Sequence, residues 1–521
     1  MKLNIKLLIT LLFFSLFMLK NASAIHTITS FSPVSAFPRA IVTITGTNLA
    51  PTTGVVHVFF GNAKAQVLAV YNDSLKVRVP FGATVAPITI SVNGFTVATL
   101  NHFVPSYPAS TATPSNLNFW PTEGNLNLSF TGQTLKQYAS ADLDNDGKLD
   151  LISTVYFSSS TTSGLANLPY IYRLRVFRNI AGNAGGIANT IIDPNYLDLV
   201  GDSTVYSHKY GRIWGFKTGD INSDGFLDIV TRMDSGITIF LNKGLGFSHT
   251  MFNRIHIQHP LLDSKPNASS SEQILLVDFD GNGKLDILVM TPVNVILLSN
   301  NSTGTSFSNT NLSLSSIRTV RNPNPYINNI YYGRLTNDDR PDIFFHNIHH
   351  NSDSIFFLEN KFGITSNILD SAAFSGPTFI NTILQPKVSQ VCDLNNDGLM
   401  DIATVYQTFN GFMQNASGTV INFLPVSSVA QGSPLEQMLL GDVTGDGFVD
   451  IVTAWGGGIV VRKNKHQAFS ILSADSFTNT NYTRPTYGLQ EMANTLFDLD
   501  NDGRPDLVTT RQVITGVTAT N

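Results

Sequence analysis

The 521-residue sequence has a single cysteine, Cys392, and few charged residues. One cysteine excludes a disulfide scaffold and the cysteine-based zinc motifs. Charged residues make up 13% of the chain, whereas about 25% is usual, and this argues against a coiled coil. The formal charge of −5 also argues against nucleic-acid binding, because phosphate backbones demand basic patches. Motifs typical of serine hydrolases, zinc proteases and phosphate-binding loops are missing. The 42% of apolar residues predicts a folded protein with a sizeable core.

Long apolar runs are also missing after the first 24 residues. Lys2 and Lys6 precede an apolar stretch over 7–19, and Ala22-Ser23-Ala24 fits a small-x-small cleavage signal. We predict a signal peptide over 1–24, cleaved after Ala24. A membrane anchor is the alternative, but the stretch is shorter than the ~20 residues that a span needs. The mature chain is therefore expected to be secreted or on the cell surface, without a membrane span. Loss of three lysines and no acid would take its charge from −5 to −8.

Residues 25–104 show short alternating runs typical of strands, separated by turn residues. Ile41-Val42-Thr43-Ile44 and Leu75-Lys76-Val77-Arg78-Val79 are examples. No helical period is present, and 80 residues of this kind suit a β-sandwich. The segment resembles the immunoglobulin-like IPT/TIG family, which implies a spacer or interaction module without catalysis. The resemblance is carried by Ser32-Pro33, Thr45-Gly46-Thr47-Asn48-Leu49, Phe60-Gly61 and Val79-Pro80-Phe81-Gly82-Ala83. A linker rich in Pro, Ser, Thr and Ala is expected over 105–115.

The rest of the chain repeats a nine-residue string. Intact copies begin at Asp142 (DLDNDGKLD), Asp220 (DINSDGFLD), Asp278 (DFDGNGKLD), Asp393 (DLNNDGLMD), Asp442 (DVTGDGFVD) and Asp498 (DLDNDGRPD), and a damaged copy begins at Arg334 (RLTNDDRPD). We call them loops 1 to 7 in chain order, so the damaged copy is loop 4. Each follows an apolar run and precedes two β runs and a closing segment. About four strands per unit is the size of a propeller blade.

Seven such units predict a seven-bladed β-propeller over 116–521, so the expected fold is all-β: an Ig-like β-sandwich followed by a propeller. A stacked solenoid is the alternative geometry, but it needs polar end caps, and none is visible. The last unit has room for only about two strands after Asp506. The two strand-like runs over 116–130 are expected to complete that blade and close the ring, although the segment could also be linker.

Each intact string places side-chain oxygens at positions 1, 3, 5 and 9 and usually glycine at position 6. Ca²⁺ takes six to eight oxygen ligands from a tight loop, and glycine permits the sharp turn. An EF-hand would need an acid at position 12 and a following helix; here position 12 is Ser153, Thr231 or an equivalent uncharged residue, and a strand follows. The pattern therefore predicts about six Ca²⁺ sites. Asx-turn chemistry alone is the alternative.

The strand-flanked string resembles the FG-GAP/VCBS repeats of integrin α-type propellers, over residues 116–521. The FG and GAP motifs themselves are poorly preserved in this sequence, so it resembles VCBS repeats more closely than the repeats of integrins. Carried over by position, the resemblance implies the following calcium ligands, with Lys148 and Phe226 contributing backbone carbonyls: Asp142, Asp144, Asp146, Lys148 and Asp150; Asp220, Asn222, Asp224, Phe226 and Asp228; Asp278, Asp280, Asn282 and Asp286; Asp393, Asn395, Asp397 and Asp401; Asp442, Thr444, Asp446 and Asp450; Asp498, Asp500, Asp502 and Asp506.

The charge distribution supports cation binding. The six intact loops contain 20 of the 37 acidic residues, and such clusters repel one another without a counter-ion. In loop 4, Arg334 replaces the first acid and Asp339 replaces the glycine. We predict no metal there, with Arg334 neutralising Asp338 and Asp342 in its place.

The loops that follow the second strand of each blade are expected on the face opposite the acidic strings. They carry residues suited to gripping a protein or a glycan, although blade packing is the alternative role: Tyr156, Arg232, His346, Tyr406, Trp455 and Arg511. His346, His349 and His350 could share a transition metal, but a solvated loop is favoured. Cys392 is expected to be a small buried filler.

These features favour a secreted, non-enzymatic binding or adhesion protein whose blades are stiffened by calcium and whose partner is an extracellular protein or glycan. The alternatives are a lectin and a polysaccharide-active lyase or hydrolase. His346, Asp234 and Asp353 are the only acid–base candidates for such an enzyme.

Overall fold

The structure is a computed structural model. It describes residues 26–51, 54–107, 133–157, 171–182, 192–199, 213–262, 274–291, 294–318, 326–336, 338, 340–348, 354–376, 378–381, 386, 388–405, 409–413, 415–416, 422–424, 427–430, 435–455, 458–465, 472, 476–483, 491–501, 503 and 505–511. The predicted signal peptide and the strand-like runs over 116–130 lie outside these residues, and both stay predictions.

The N-terminal domain is a two-sheet sandwich. Its strands are β1 (Thr27–Ser32), β2 (Ser35–Ala36), β3 (Ile41–Thr47), β4 (His57–Phe60), β5 (Ala63–Lys64), β6 (Gln66–Val70), β7 (Ser74–Arg78), β8 (Ala86–Val92) and β9 (Phe95–Pro105). One sheet has the order β1-β3-β7-β6 and the other β2-β9-β8-β4-β5. Alternate residues of β3 and β7 point inward, so Val42, Ile44, Leu75 and Val77 are fully buried between the sheets. Burial of apolar residues at every second position is what makes the alternating runs fold as strands.

Six four-stranded sheets follow along the chain. Their strands are β10 (Gln133–Ala141), β11 (Asp150–Phe157), β12 (Ile171–Phe177) and β13 (Leu197–Asp198); β14 (Ile213–Gly219), β15 (Asp228–Met233), β16 (Gly236–Asn242) and β17 (Phe252–Ile257); β18 (Ile274–Val277), β19 (Asp286–Met290), β20 (Asn294–Asn300) and β21 (Leu312–Arg318); β22 (Tyr326–Gly333), β23 (Asp342–Ile348), β24 (Ser354–Leu358) and β25 (Thr378–Asn381); β26 (Val388–Cys392), β27 (Asp401–Val405), β28 (Phe409–Met413) and β29 (Ser427–Ala430); β30 (Leu435–Gly441), β31 (Asp450–Trp455), β32 (Gly458–Asn464) and β33 (Phe477–Thr483).

A seventh sheet contains β34 (Glu491–Phe497) and β35 (Asp506–Arg511) within the described residues. The helical segments described are three short 3-10 turns, over Pro260–Leu262, Asn309–Asn311 and Ser371–Ala373. None of them is long or apolar enough to span a bilayer. The predicted all-β fold with an N-terminal sandwich is confirmed. A four-stranded seventh blade, and with it the full seven-bladed count, stays a prediction.

The last sheet packs against the first. Phe497 and Leu499 share one buried cluster with Leu149 and Leu151 of the first blade. In addition, Asn179 Nδ2 donates to the Leu499 carbonyl at 3.1 Å. The first strands of successive blades lie beside one another, and β34 lies beside β10. The array of blades is therefore a closed ring with the first strands toward its centre, and an open solenoid is excluded.

Every acidic string joins the first strand of a blade to the second. The second strand begins at the ninth residue of the string, as β15 does at Asp228 and β19 at Asp286. All the strings therefore lie at one end of the blades, and the far ends of the second strands lie at the other. The N-terminal sandwich packs against the end that carries the strings, since Phe59 shares a buried cluster with Ala141 and Leu143.

Candidate metal loops of the propeller

The six intact strings share an unusual backbone conformation at two described positions. Positions 4 and 6 both have positive φ, at Asn145 (61°) and Gly147 (88°) in loop 1 and at Gly445 (74°) and Gly447 (86°) in loop 6. Glycine at position 6 was expected from the turn; the requirement at position 4 was not. The sequence does carry a sign of this requirement, because position 4 is always asparagine, glycine or serine. Asparagine and glycine are the residue types that adopt positive φ most readily.

The first aspartate of each string closes its own loop. In loop 1, Asp142 accepts from the backbone N–H groups of Asp146 at 3.0 Å and Gly147 at 2.9 Å. Asp220 accepts from Asp224 and Gly225 in the same way, at 2.9 and 2.8 Å. These are the bonds of an Asx turn, so the first aspartate closes the loop backbone by itself, without an ion.

The ninth aspartate has a structural role in every blade for which it is fully described. Asp228 is fully buried; its Oδ2 accepts from the Ile221 N–H at 2.9 Å and its Oδ1 from the Asn242 N–H at 2.7 Å. Asp342 of the damaged loop is also fully buried and accepts from Leu335 and Asn360 in the same manner. Since the arrangement persists in loop 4, this aspartate is required by the blade whether or not it also contacts an ion.

Three loops bring carboxylates together. One oxygen from each of three aspartates lies within 4.8 Å of the others in loop 1 (Asp142, Asp144, Asp146), loop 3 (Asp278, Asp280, Asp286) and loop 7 (Asp498, Asp500, Asp506). Asp502, the other predicted ligand of loop 7, lies outside the described residues. Clustered carboxylate oxygens are the donor set that Ca²⁺ takes, so the residues in these loops fit such an ion.

Loops 2, 5 and 6 have asparagine or threonine at position 3 in place of the second acid, and this residue forms a hydrogen bond with the aspartate at position 5. Asn222 Nδ2 donates to Asp224 Oδ2 at 2.9 Å, and Asn395 donates to Asp397 at 3.0 Å. In loop 6, Thr444 Oγ1 donates to Asp446 at 2.6 Å. A cation at loop 2 or loop 5 would require the amide to turn its oxygen inward, whereas the Thr444 hydroxyl of loop 6 offers a neutral oxygen in place of a carboxylate. Loops 2, 5 and 6 are therefore expected to bind more weakly than loops 1, 3 and 7.

Burial makes the charged form of these acids unfavourable without a cation. It raises the pKa of Asp142 to about 7, with help from neighbouring Asp146, and that of Asp278 to about 7. The pKa of Asp450 rises to about 8, again mainly through burial. A divalent ion would offset both desolvation and mutual repulsion, which is the second respect in which the loops fit a cation.

Basic side chains partly neutralise two of the loops. Arg178 Nε donates to Asp144 Oδ2 at 2.6 Å in loop 1, and Lys463 Nζ lies 3.3 Å from Asp446 in loop 6. Lys148 Nζ lies 3.5 Å from Asp146, also in loop 1. These cations would compete with a metal ion for the same oxygens, so loop 1 combines a cluster of acids with a basic side chain bonded to one of them.

In the damaged loop, two arginines form hydrogen bonds and an ion pair with neighbouring groups. Arg334 Nε donates to the Asp338 carbonyl at 2.6 Å, and Arg340 forms an ion pair with the Asp338 carboxylate. Arg340 Nε also donates to the Asn360 carbonyl at 2.9 Å. Arg340, which sequence reasoning missed, therefore neutralises Asp338 directly, and Thr336 Oγ1 donates to Asp342 at 3.2 Å. Neutralisation by Arg334 stays a prediction.

Two residues expected on the ligand face are in fact buried. Arg232 is 0% exposed and donates to the Met233 and Gly236 carbonyls. His346 is also 0% exposed; it lies within β23, and its Nε2 is 2.8 Å from Ser389 Oγ in the next blade. The loop position expected for His346 is therefore wrong, and these two residues serve blade packing, the alternative role.

The other ligand-face predictions remain open. Tyr156, Trp455 and Arg511 lie at the far ends of β11, β31 and β35. Tyr406, His349, His350 and Asp353 lie outside the described residues. Asp234 accepts from Trp214 Nε1 at 2.5 Å. Cys392 is buried, as expected of a filler.

Comparison with known proteins identifies two parts of the chain. Residues 27–105 match the IPT/TIG domain, and residues 220–289 match the FG-GAP-like repeat. Both matches agree with the resemblances found in the sequence. No curated protein matches the chain.

Similar solved structures are remote. A lectin from Agrocybe aegerita, described as recognising non-reducing terminal N-acetylglucosamine, is 14% identical with a TM-score of 0.42, over 84% of this chain and 92% of that one. An auxiliary nutrient binding protein from Bacteroides ovatus is 10% identical with a TM-score of 0.32, over 83% and 96%. A rhamnogalacturonan lyase is 11% identical with a TM-score of 0.28, over 94% and 89%. At this level of similarity none of them bears on function.

Proposed function

We propose that this chain, an IPT/TIG domain followed by an FG-GAP-like repeat propeller, is a secreted binding module whose blades are stiffened by calcium. The observation that carries the proposal is the repeated acidic loop. Loops 1, 3 and 7 gather three carboxylates each, and burial raises the pKa of Asp142 in loop 1 and of Asp286 in loop 3. An ion bound there would tie the first strand of a blade to the second without taking part in catalysis.

Loop 1 shows the rigid frame that an ion would meet. Its ninth residue, Asp150, is anchored by the Leu143 and Asn179 N–H groups, and the first residue, Asp142, closes the loop. Preformed oxygen ligands lower the ordering cost of binding. Extracellular modules of this kind bind Ca²⁺ with Kd values of roughly 10⁻⁴ to 10⁻³ M, which would suit a protein outside the cell.

The ligand surface is expected at the end of the propeller opposite the loops, because the sandwich occupies part of the loop end. Tyr156, Trp455 and Arg511 lie on strand ends at that side. An extracellular protein or a glycan is the expected partner, since aromatic and arginine side chains dominate such contacts. With His346 buried, the acid–base set considered for an enzyme loses a member, and this favours binding without turnover.

The experiment for calcium is isothermal titration of the metal-free mature chain, with ion stoichiometry read by native mass spectrometry. We expect several bound Ca²⁺ ions and the loss of one ion in the Asp280→Asn variant. Asp338→Asn, in the damaged loop, is the matched control and should lose none. A chain that binds no Ca²⁺ at millimolar concentration would refute the calcium part of the proposal.

The experiment for the ligand is a glycan array followed by product analysis. Retention of a glycan without new reducing ends or unsaturated products supports a lectin-like binding module. Turnover of a bound polysaccharide would instead establish the lyase or hydrolase alternative. If no glycan binds, the expected partner is an extracellular protein.

A further inference from the structure

The N-terminal sandwich is docked directly onto the metal loops. Asn62 O accepts from the Asp142 N–H of loop 1 at 3.0 Å. Thr96 Oγ1 donates to Ser223 Oγ of loop 2 at 2.8 Å, and the Thr96 N–H donates to the Gly283 carbonyl of loop 3 at 2.6 Å. The contacts therefore span three neighbouring blades on one side of the ring.

Contacts continue on the other side of the ring, through the end of the sandwich. A Cβ at Gly447 of loop 6 would lie 3.8 Å from Ser35 Oγ of the sandwich. Tyr107 is buried, and this burial raises the pKa of its phenol, with help from the field of Asp498 and Asp506 in loop 7. Val85 and Val104 pack against the apolar cluster of Cys392 and its neighbours. Contacts on opposite sides of the ring place the sandwich across its centre.

The sandwich holds the backbone and turn residues of the loops that it contacts. Its Asn62 carbonyl accepts from the N–H of Asp142, the first residue of loop 1. Thr96 bonds Ser223 at the turn of loop 2 and the Gly283 carbonyl of loop 3. Partners that hold metal ligands in place raise metal affinity, and their loss typically costs 10–100-fold.

The glycines at position 6 also serve this contact. A Cβ at Gly225 would lie 2.3 Å from the His57 ring, and one at Gly283 would lie 2.7 Å from Phe95. From the opposite side, a Cβ at Gly82 of the sandwich would lie 2.5 Å from Leu149 Cγ. The turn that suits a cation therefore also allows the two domains to approach closely.

We propose that docking of the sandwich and calcium binding are thermodynamically linked, with Thr96 acting as a positioning residue for loops 2 and 3. This inference rests on the proposed function. Ordering of the loops by an ion would order the docking surface, and the docked sandwich would hold the backbone of each contacted loop. Linkage is reciprocal. The factor by which bound Ca²⁺ strengthens docking therefore equals the factor by which docking strengthens Ca²⁺ binding.

The test uses the full mature chain, small-angle scattering and calcium titration. The wedge variant is Gly82→Leu, which forces the domains apart without altering a predicted ligand. Gly182→Leu is its control, because a Cβ at Gly182 meets nothing within 4 Å. We expect Gly82→Leu to bind Ca²⁺ about fivefold or more weakly and to have a larger radius of gyration. The control should match the wild type in both.

A milder substitution with its own control guards against misfolding of the wedge variant. Thr96→Val removes the hydroxyl that bonds Ser223 and should weaken Ca²⁺ binding at loop 2, whereas Ser74→Ala, whose hydroxyl bonds only its neighbour Asp73 in the described contacts, should not. Unchanged affinity in both Gly82→Leu and Thr96→Val, with calcium still bound by the wild type, overturns the linkage and leaves the proposed function intact. A wild type that binds no Ca²⁺ overturns both.

Discussion

At the scale of single residues, asparagines at the ends of the third strands join neighbouring blades. Asn242 Nδ2 donates to the Leu143 carbonyl of the preceding blade at 2.6 Å and to the Leu227 carbonyl of its own blade at 3.2 Å. Its backbone N–H donates to Asp228. The corresponding bonds recur in the other described blades, from Asn179, Asn300, Asn360, Asn415 and Asn464.

Removal of one such asparagine should destabilise the ring. In Asn242→Ala, the buried Leu143 and Leu227 carbonyls each lose a donor, and we expect a loss of about 1–3 kcal/mol. Asn253→Ala, at an exposed position of β17, should change stability by less than about 0.5 kcal/mol. Equilibrium unfolding in urea measures both, and equal effects would contradict the bridging role.

Arg178 should limit calcium binding at loop 1. Its guanidinium is bonded to Asp144, so Arg178→Gln frees an oxygen ligand and is expected to strengthen binding there severalfold. The control is Arg78→Gln, which removes the same charge from an exposed position of β7. Titration calorimetry compares the two. Weaker Ca²⁺ binding at loop 1 in Arg178→Gln would contradict this prediction and show that the arginine supports the site.

His102 should titrate far below its usual range. Burial lowers the pKa of its imidazole from 6.5 to about 4. The unfolded chain then binds a proton near pH 6.5 and the folded chain does not, so this contribution to stability is complete above pH 6.5 and is lost as the pH falls toward 4. Between about pH 7.5 and about pH 4.5, the wild type should lose stability relative to His102→Leu. NMR titration of the ring gives the pKa directly, and a value near 6.5 would contradict the burial.

At the scale of elements, the alternating runs and the repeated string were enough to predict the strands and their grouping into blades. The ninth aspartate could be placed at the start of the second strand because apolar residues follow it in every copy. The asparagine partner was missed, although it follows Asp228, Asp286, Asp401 and Asp450 at a constant spacing of 14 residues. Insertions before Asn179 and Asn360 hide that spacing in two blades.

The damaged loop offers a gain-of-function test. Arg334→Asp with Asp339→Gly restores the first acid and the turn, and it should add one bound Ca²⁺ by native mass spectrometry. Because Arg340 is paired with Asp338, addition of Arg340→Leu should strengthen that binding. The matched control is Arg340→Leu alone, which should add no ion. A triple variant with unchanged stoichiometry would show that loop 4 differs from the others by more than these side chains.

At the scale of the whole molecule, the docked sandwich was beyond prediction from the sequence. The residues in contact, such as Asn62 with Asp142 and Thr96 with Gly283, are separated by 80 or more positions and carry no shared pattern. Ring closure, by contrast, was expected from the count of units, and the packing of Phe497 against the first blade supports it. Local patterns predicted blades, whereas contacts between domains depend on shape.

The most direct test of calcium-stiffened blades is calorimetric unfolding of the mature chain in millimolar Ca²⁺ and in excess EDTA. An ion that binds only the folded state raises stability by mass action, by roughly 0.4–1.4 kcal/mol per site when millimolar Ca²⁺ stands at one to ten times Kd. We expect a transition several degrees higher in Ca²⁺, with no such shift in Mg²⁺ at the same concentration. Transitions that coincide in Ca²⁺ and EDTA would contradict the account.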